Sequence, residues 1–182
     1  SISINANRVS VENGGSVTSE SGGTLAGQLF VGTGNAGQNT VSAPTLAMAD
    51  GTISVATSGA GSAGSILLNG NIINLTGGSQ VVSSTTGVGQ GGSVAGTGGE
   101  SFFISGSGSG LLSTASSTGN AGQITVSTPT LTMGDSGTIS VATSGAGSAG
   151  SILLNANNLN HTGGAQVVSS TTGAGQGGSV TA

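Results

Sequence analysis

The sequence contains very little charge. Only 3% of its 182 residues are charged, whereas an average globular protein has about 25%. They are Arg8, Glu12, Glu20, Asp50, Glu100 and Asp135. The formal net charge of −4 is spread thinly and leaves no basic patch. This distribution argues against nucleic acid and anionic membrane surfaces as partners.

Several other residue types and patterns are scarce or missing. The chain has no cysteine, two prolines and three phenylalanines as its only aromatic residues. Without cysteine it can form neither disulfides nor thiolate metal sites. No apolar run approaches the ~20 residues of a membrane-spanning helix. Collagen is excluded because glycine does not recur at every third position, and the Val, Ile and Leu content argues against disorder.

The chain is instead rich in glycine, with 38 residues, and in close internal repeats. Residues 51–69 return letter for letter at 137–155, which is 86 positions later. Residues 80–94 return at 166–180 with one change. We therefore expect one repeat domain over residues 1–182, with copies of an 86-residue unit near 35–119 and 120–182. Residue 1 starts in mid-pattern and no signal peptide is visible, so we expect a segment of a longer chain.

A shorter period lies inside the 86-residue unit. The last glycine of successive small-residue clusters falls at Gly37, Gly64, Gly92, Gly122, Gly150 and Gly178. A period near 28 residues without helical spacing is typical of one coil of a β-solenoid. We therefore predict an all-β parallel solenoid of about six coils.

Each coil is predicted to contain three short strands. In one coil these are 124–126, 131–133 and 139–141, all with apolar-polar-apolar alternation. Pro129 stands between the first two strands, where no ladder N–H is needed. Stacking successive coils pairs like with like, for example Leu131 with Leu159. The predicted inward residues are Val41, Leu46, Met48, Ile53, Val55, Ile66, Leu68, Ile73, Val81, Ile124, Val126, Leu131, Met133, Ile139, Val141, Ile152, Leu154, Leu159 and Val167.

Two segments depart from the regular pattern. Residues 21–33 are predicted to be an insertion or a displaced strand, with Leu29 or Phe30 packed inward. Their role is not indicated by the pattern. In 102–104 only alternate residues can face the core of a strand. We predict that Phe102 and Ile104 point inward and that Phe103 lies outside.

Residues 119–159 resemble the repeats of filamentous-haemagglutinin-like exoproteins, which are exported by two-partner secretion. The similar features are GNAG before an I-x-V strand, a P-x-L-x-M strand, and a G-x-I-x-x-x-T strand that ends in S-G-x-G. The resemblance covers roughly residues 35–182 and extends more weakly to 1–20. It implies a right-handed parallel β-helix, export through an outer-membrane pore, and a role as an adhesin or stalk on the bacterial cell surface. The family's N-terminal secretion domain has no match in this sequence.

Carboxylates are the first candidates for chemistry, because pectin-cleaving β-helices place acids close together. Asp50 and Asp135 occupy equivalent turns three coils apart, which is about 14 Å at the strand spacing. Glycosidases need carboxyl groups about 5 to 9.5 Å apart. Glu12, Glu20 and Glu100 do not join either aspartate. We therefore predict no catalytic residues and no enzyme activity, and interpret the aspartates as turn residues.

The remaining candidate sites are also interpreted as non-functional. His161 is the only histidine, so it lacks a second ligand or a triad partner. The glycine clusters lack the aspartate of calcium-binding solenoids and the lysine of phosphate loops. The sequons at Asn74 and Asn160 are attributed to chance. The threonines do not recur on every coil, which argues against an ice-binding ladder. We predict no cofactor and no metal.

The function predicted from the sequence is structural and adhesive: a stiff segment of an extracellular or cell-surface rod. Its expected partners are a host or neighbouring-cell surface, or glycans, together with the secretion pore during export. Two alternatives remain open, a self-assembling filament subunit and a polysaccharide-degrading β-helix enzyme. Neither end carries a polar cap and side charges are few, so we also expect association end to end or side by side.

Overall fold

The computed structural model describes residues 1–25, 28–30 and 32–182. The described residues form β-strands and contain no helix. The strands are β1 (Ile2–Asn5), β2 (Arg8–Glu12), β3 (Ser16–Ser21), β4 (Gly23–Leu25), β5 (Gln28–Phe30), β6 (Asn39–Ser42), β7 (Thr45–Ala49), β8 (Thr52–Thr57), β9 (Ile66–Thr76), β10 (Gln80–Thr85), β11 (Val94–Ser105), β12 (Gly110–Ala115), β13 (Ile124–Gly134), β14 (Thr138–Thr143), β15 (Ser151–His161), β16 (Gln166–Thr171) and β17 (Ser179–Thr181).

Two parallel sheets run side by side through the molecule. The first sheet has the order β1-β6-β9-β11-β13-β15-β17. In the same sheet β7 also pairs with β9, and β2 pairs with β7. The second sheet has the order β3-β8-β10-β12-β14-β16. Each strand therefore pairs with the equivalent strand one coil away. This arrangement is a parallel β-solenoid, and the predicted fold class is confirmed.

The register gives the length of each coil. Ile2 pairs with Asn39, and Asn39 pairs with Ile66. The ladder continues through Val94, Ile124, Ile152 and Val180. After a longer first turn, about five coils therefore follow with about 28 residues each, as the glycine period predicted.

The first turn is longer because it contains the irregular segment. Strands β4 and β5 pair there as an antiparallel hairpin outside the two main sheets. An insertion was one of the two interpretations of residues 21–33. The predicted inward packing of Leu29 or Phe30 concerns side chains that lie outside the described residues.

Each coil has three inward-facing segments, but they are not always three separate strands. The first two coils have three strands each, as predicted. From β9 onward the first two segments join into one strand of 11 or 12 residues. In β13 the alternation changes phase at Pro129 and Thr130, which both face outward between buried Thr128 and buried Leu131. The corner is therefore preserved within a continuous strand.

The core consists of columns of apolar side chains that run from coil to coil. Leu46, Ile73, Phe102 and Leu131 are successive members of one such column, and all are fully buried. Ile104 is also buried and Phe103 is half-buried on the outer side, as predicted. All the predicted inward residues are buried except two: Val167 is half-buried and Leu159 is 43% exposed.

The prediction that Leu159 is buried is wrong. Leu159 does occupy the column of Leu131, with which it pairs. Within the described residues, however, β17 covers only Ser151 to Leu153 of β15, and no strand lies over Leu159. Column position thus determines the direction of a side chain, whereas burial needs a neighbour on both sides.

Asn39 is a buried polar residue in the core that the sequence pattern did not indicate. It stands between Ile2 and Ile66 in the register and is fully buried. Its side-chain Nδ2 donates to the backbone oxygens of Ser54 at 2.7 Å and Val17 at 3.3 Å. These bonds tie the first sheet to the second across the core.

The corner before the second sheet is a column of tight turns with left-handed backbone. Asn13, Asp50 and Asp135 have φ of 54°, 59° and 46° there. Asparagine and aspartate tolerate this conformation better than other non-glycine residues. The Ser105 hydroxyl also donates to Asp135 Oδ2 at 2.8 Å.

Candidate functional site

The acids predicted to be turn residues are not brought together. Met48 and Met133, which precede Asp50 and Asp135, lie three ladder steps apart in the first sheet. At the strand spacing this is about 14 Å, which exceeds the separation that acid-pair hydrolysis requires. Both aspartates are exposed at their turns. The two aspartates therefore do not form an acid pair with each other.

His161 ends β15 in register with Met133 and is exposed. It continues a core column, because Leu75, Ile104 and Met133 precede it in the ladder. Among the residues that the structure describes, no group of three His, Cys, Asp or Glu side chains lies close enough to hold a metal ion. In the same residues no helix is long and apolar enough to cross a membrane.

The two sequons lie on the outer face of the first sheet. Asn74 is in β9 and Asn160 in β15, with their side chains turned away from the core. The Asn160 Nδ2 donates to Thr132 Oγ1 of the neighbouring coil at 3.4 Å. These asparagines belong to an ordinary outward column of the sheet.

A concave surface runs along the corner between the first and second inward-facing segments of each coil, where the alternation changes phase. One cavity of about 500 Å³ is lined by Thr97, Gly98, Ser127, Thr128, Pro129, Asn155, Ala156 and Asn157. A second, of about 420 Å³, is lined by Asn5, Ser42, Ala43, Pro44, Asn69, Gly70, Asn71, Thr97 and Gly99. Both are lined by Thr97, so they form adjoining halves of one surface, which we call the corner groove.

One wall of the corner groove is a continuous column of polar side chains. Its members are the last outward residues before the corner in six successive coils: Asn5, Ser42, Asn69, Thr97, Ser127 and Asn155. All six carry an amide or a hydroxyl group, and neighbours lie one strand spacing, about 4.8 Å, apart. The corner groove therefore repeats the same uncharged chemistry along the solenoid axis.

Most hydrogen-bonding groups of this column are available to a ligand. Asn69 Nδ2 donates to Ser42 Oγ at the limiting distance of 3.5 Å. In the described part of the chain, the side chains of Asn5, Ser127 and Asn155 make no hydrogen bond to other residues. An amide both donates and accepts, and so does a hydroxyl. The corner groove can therefore bond to groups of either kind.

The floor of the corner groove is made of small residues because the chain bends there. Ala43 and Gly70 stand at this position in two neighbouring coils, and Gly98 follows in the next. A Cβ on Gly70 would lie 2.7 Å from the backbone oxygen of Ala43, so a side chain would not fit there. The exposed prolines Pro44 and Pro129 add apolar ring atoms to the lining.

A β-bulge interrupts the groove at its middle. Between Thr97 and Ser101 the register of β11 shifts by one residue against both neighbouring strands. The extra residue leaves Gly99 in the groove lining and places exposed Glu100 directly after it. Bulges often occur beside functional sites because they redirect a side chain. Glu100 is the charged residue nearest to the groove lining in sequence, and no charged residue lines either cavity.

The corner groove was not predicted from the sequence. A signal was present in the sequence, since an Asn, Ser or Thr stands before each corner and Pro44 and Pro129 mark two of the corners. The signal was not interpretable alone because its meaning depends on which outward residues the bend brings together.

Comparison of the chain with protein-family models, with curated proteins and with solved structures found no match.

Proposed function

We propose that this chain is a non-catalytic segment of an extracellular adhesive rod, exported to a bacterial cell surface. In this function the solenoid extends the molecule, and its outer faces contact a neighbouring surface or its glycans. The sequence resemblance to two-partner-secretion exoproteins supports the extracellular setting and the use of an outer-membrane pore.

The observation that carries the proposal is the equivalence of the repeated stretches. Ile53 and Ile139 belong to identical sequences and stand three coils apart in one column, joined by Val81 and Leu111. An 86-residue unit thus adds three coils without changing the cross-section. Such a unit lengthens a rod and has no other geometric effect.

The surface chemistry supports a binding role over a catalytic one. The outer face of the second sheet carries one charged side chain, Glu20, among serine, threonine, glutamine, glycine, alanine, valine and leucine residues. Catalysis on polysaccharides requires clustered acids or bases, and the aspartates here are separated.

The rod function is tested by a tandem duplication. Because residues 51–69 and 137–155 are identical, the duplication leaves the sequence at the junction unchanged. A second copy of residues 51–136 is inserted after residue 136, so that Gly137 follows as before. We expect the longest dimension in small-angle X-ray scattering to grow by about 14 Å at constant cross-section, which is three strand spacings. A longer chain with a wider cross-section, or an unfolded one, would contradict the rod.

The adhesive function is tested separately with beads coated with the whole chain. The beads are expected to bind surfaces coated with cell-wall or host-cell glycans more than beads coated with albumin. Equal binding of both bead types would contradict the adhesive part of the proposal.

A filament subunit is the competing assignment, favoured by the low charge of the outer faces, because weak repulsion permits association. Sedimentation and electron microscopy of the 182-residue chain distinguish the two. Uniform fibres that form from the chain alone favour the filament, and monomers that bind glycan-coated surfaces favour the rod segment.

A further inference from the structure

We propose that the corner groove binds one chain of a linear, uncharged polysaccharide along the solenoid axis. This inference rests on the proposed adhesive function and assigns it to one surface. It names the chemical class of the ligand from the residues that line the groove.

The shape of the groove indicates a long and repetitive ligand. Its polar column continues through six coils, from Asn5 to Asn155, which spans about 24 Å at the strand spacing. Each coil offers one amide or hydroxyl at nearly the same place. A polymer of identical units can form the same weak contact many times, and repeated contacts raise the overall affinity steeply.

The chemistry of the lining indicates an uncharged ligand with many hydroxyl groups. The lining holds amides, hydroxyls and backbone, and it includes no charged residue. A sugar hydroxyl donates and accepts hydrogen bonds, and so does each of these side chains. Exposed Glu100 directly follows Gly99 of the lining in the chain. We expect its carboxylate to repel an acidic polysaccharide, because like charges in proximity disfavour binding.

The apolar parts of the groove fit the same ligand. Exposed Pro44 and Pro129 and half-buried Ala156 contribute ring carbons and a methyl group to the groove lining. Sugar rings have C–H faces as well as hydroxyl edges. A site that combines apolar surface with a few oriented polar groups is typical of small-molecule and glycan recognition.

An extended peptide fits the groove less well. Peptides that add to a sheet bond to the free backbone groups of an edge strand. The corner groove crosses the strands, and their backbone groups already pair between coils, as the Asn69 oxygen does with the Ala43 N–H at 2.9 Å. A peptide laid there would leave its own backbone groups without regular partners.

The internal repeat provides a matched pair of variants for the test. Asn69 and Asn155 lie in the groove, 86 residues apart, while Asn74 and Asn160 lie outward on the adjoining face with the same separation. The double variant N69A/N155A removes two groove amides. The double variant N74A/N160A removes two amides of the same type elsewhere, and circular dichroism confirms that each variant is folded.

Binding is measured by affinity electrophoresis of the whole chain in gels that contain a mixed-linkage β-glucan, a galactomannan, a chitosan derivative acetylated to neutrality, or polygalacturonate. We expect the wild type to be retarded by at least one neutral polymer and not by polygalacturonate. N69A/N155A is expected to lose affinity roughly tenfold, because two hydrogen-bonding groups are removed. N74A/N160A is expected to bind like the wild type.

A third variant tests the exclusion of acidic polymers. E100Q removes the carboxylate beside the groove and is expected to weaken the discrimination against polygalacturonate without reducing the binding of the neutral polymer. Unchanged discrimination in E100Q would contradict the part assigned to Glu100.

The electrophoresis would overturn the inference if no neutral polymer retards the chain, if both double variants lose affinity equally, or if N69A/N155A binds unchanged. Binding of an extended peptide in the groove, displaced by no polysaccharide, would also overturn it. The bead assay keeps this inference distinct from the proposed function. If coated beads adhere equally well with the wild type and with N69A/N155A, the groove assignment fails and the adhesive rod stands.

Discussion

Gly147 lies so close to Gly119 in the preceding coil that a Cβ on Gly147 would be 2.0 Å from the Gly119 backbone oxygen. The same contact recurs one coil later, where a Cβ on Gly175 would be 1.9 Å from the Gly147 oxygen. The glycine-rich connections that lead from the second sheet to the next coil therefore stack backbone against backbone. This close approach explains why the glycines recur with the period of the coil.

Replacement of Gly147 by alanine should push the stacked connections apart. Because a Cβ cannot approach an oxygen to 2.0 Å, the backbone must shift, and we expect the free energy of unfolding to fall by about 3 kcal/mol. Gly177→Ala is the matched control, since a Cβ there meets nothing within 4 Å. The control is expected to change stability by less than about 0.5 kcal/mol. Denaturant unfolding followed by circular dichroism measures both, and equal effects would contradict the stacking argument.

The column of Leu131 and Leu159 provides a second comparison. Leu131 is fully buried and Leu159 is 43% exposed, although the two pair in register. Leu131→Asp buries an unpaired charge, so we expect loss of folding, or destabilisation by more than about 4 kcal/mol. Leu159→Asp leaves the carboxylate in contact with water and should yield folded protein. Soluble yield and circular dichroism distinguish the outcomes, and a folded, normally stable Leu131→Asp variant would refute the core assignment.

A column of buried hydroxyl groups at the end of the second sheet predicts stabilising substitutions. Within the described residues, the hydroxyls of Thr85 and Thr143 are buried without a hydrogen-bond partner. The same column contains Ala115 between them, so it accepts an apolar side chain. Thr143→Val removes an unpaired buried hydroxyl and should raise the free energy of unfolding by about 1 kcal/mol.

Ser113→Ala is the opposite case and serves as the control. The Ser113 hydroxyl donates to the Gly92 oxygen at 2.9 Å and accepts from the Gly122 N–H at 3.0 Å. Its removal should lower the free energy of unfolding by about 1 kcal/mol or more. Thermal unfolding of both variants is the measurement. A Thr143→Val variant that melts below the wild type would show that the Thr143 hydroxyl of the wild type is paired in solution.

The absence of catalysis is a further prediction. Incubation of the chain with neutral and acidic polysaccharides should release no oligosaccharides, because Asp50 and Asp135 lie about 14 Å apart at the strand spacing. Chromatography of the digests is the measurement. Reproducible cleavage that disappears in Asp50→Asn or Asp135→Asn would make the chain an enzyme.

Much of the fold could be predicted because a solenoid repeats local rules. Period-2 alternation assigns the inward face of each strand, and the spacing of glycines sets the length of the coil. Since like residues stack on like residues, the pairing of Leu131 with Leu159 followed from the repeat and is confirmed. The register required no long-range information.

The tertiary structure decided what the periodicity leaves open. The number of separate strands depends on whether hydrogen bonding continues through a corner, and in β13 it continues past Pro129. The burial of Leu159 depends on a neighbouring coil and not on its position in the pattern. Asn39 is accepted in the core because two backbone oxygens lie within its reach.

The corner groove belongs to this second category for the same physical reason. Alternation specifies that Asn69 and Asn155 face outward, but not the angle between the two outer faces that meet beside them. That angle follows from the phase change at the corner and from the bulge at Glu100. The sequence by itself therefore determined which side chains face the core, and only the folded backbone decided which outward side chains share a groove.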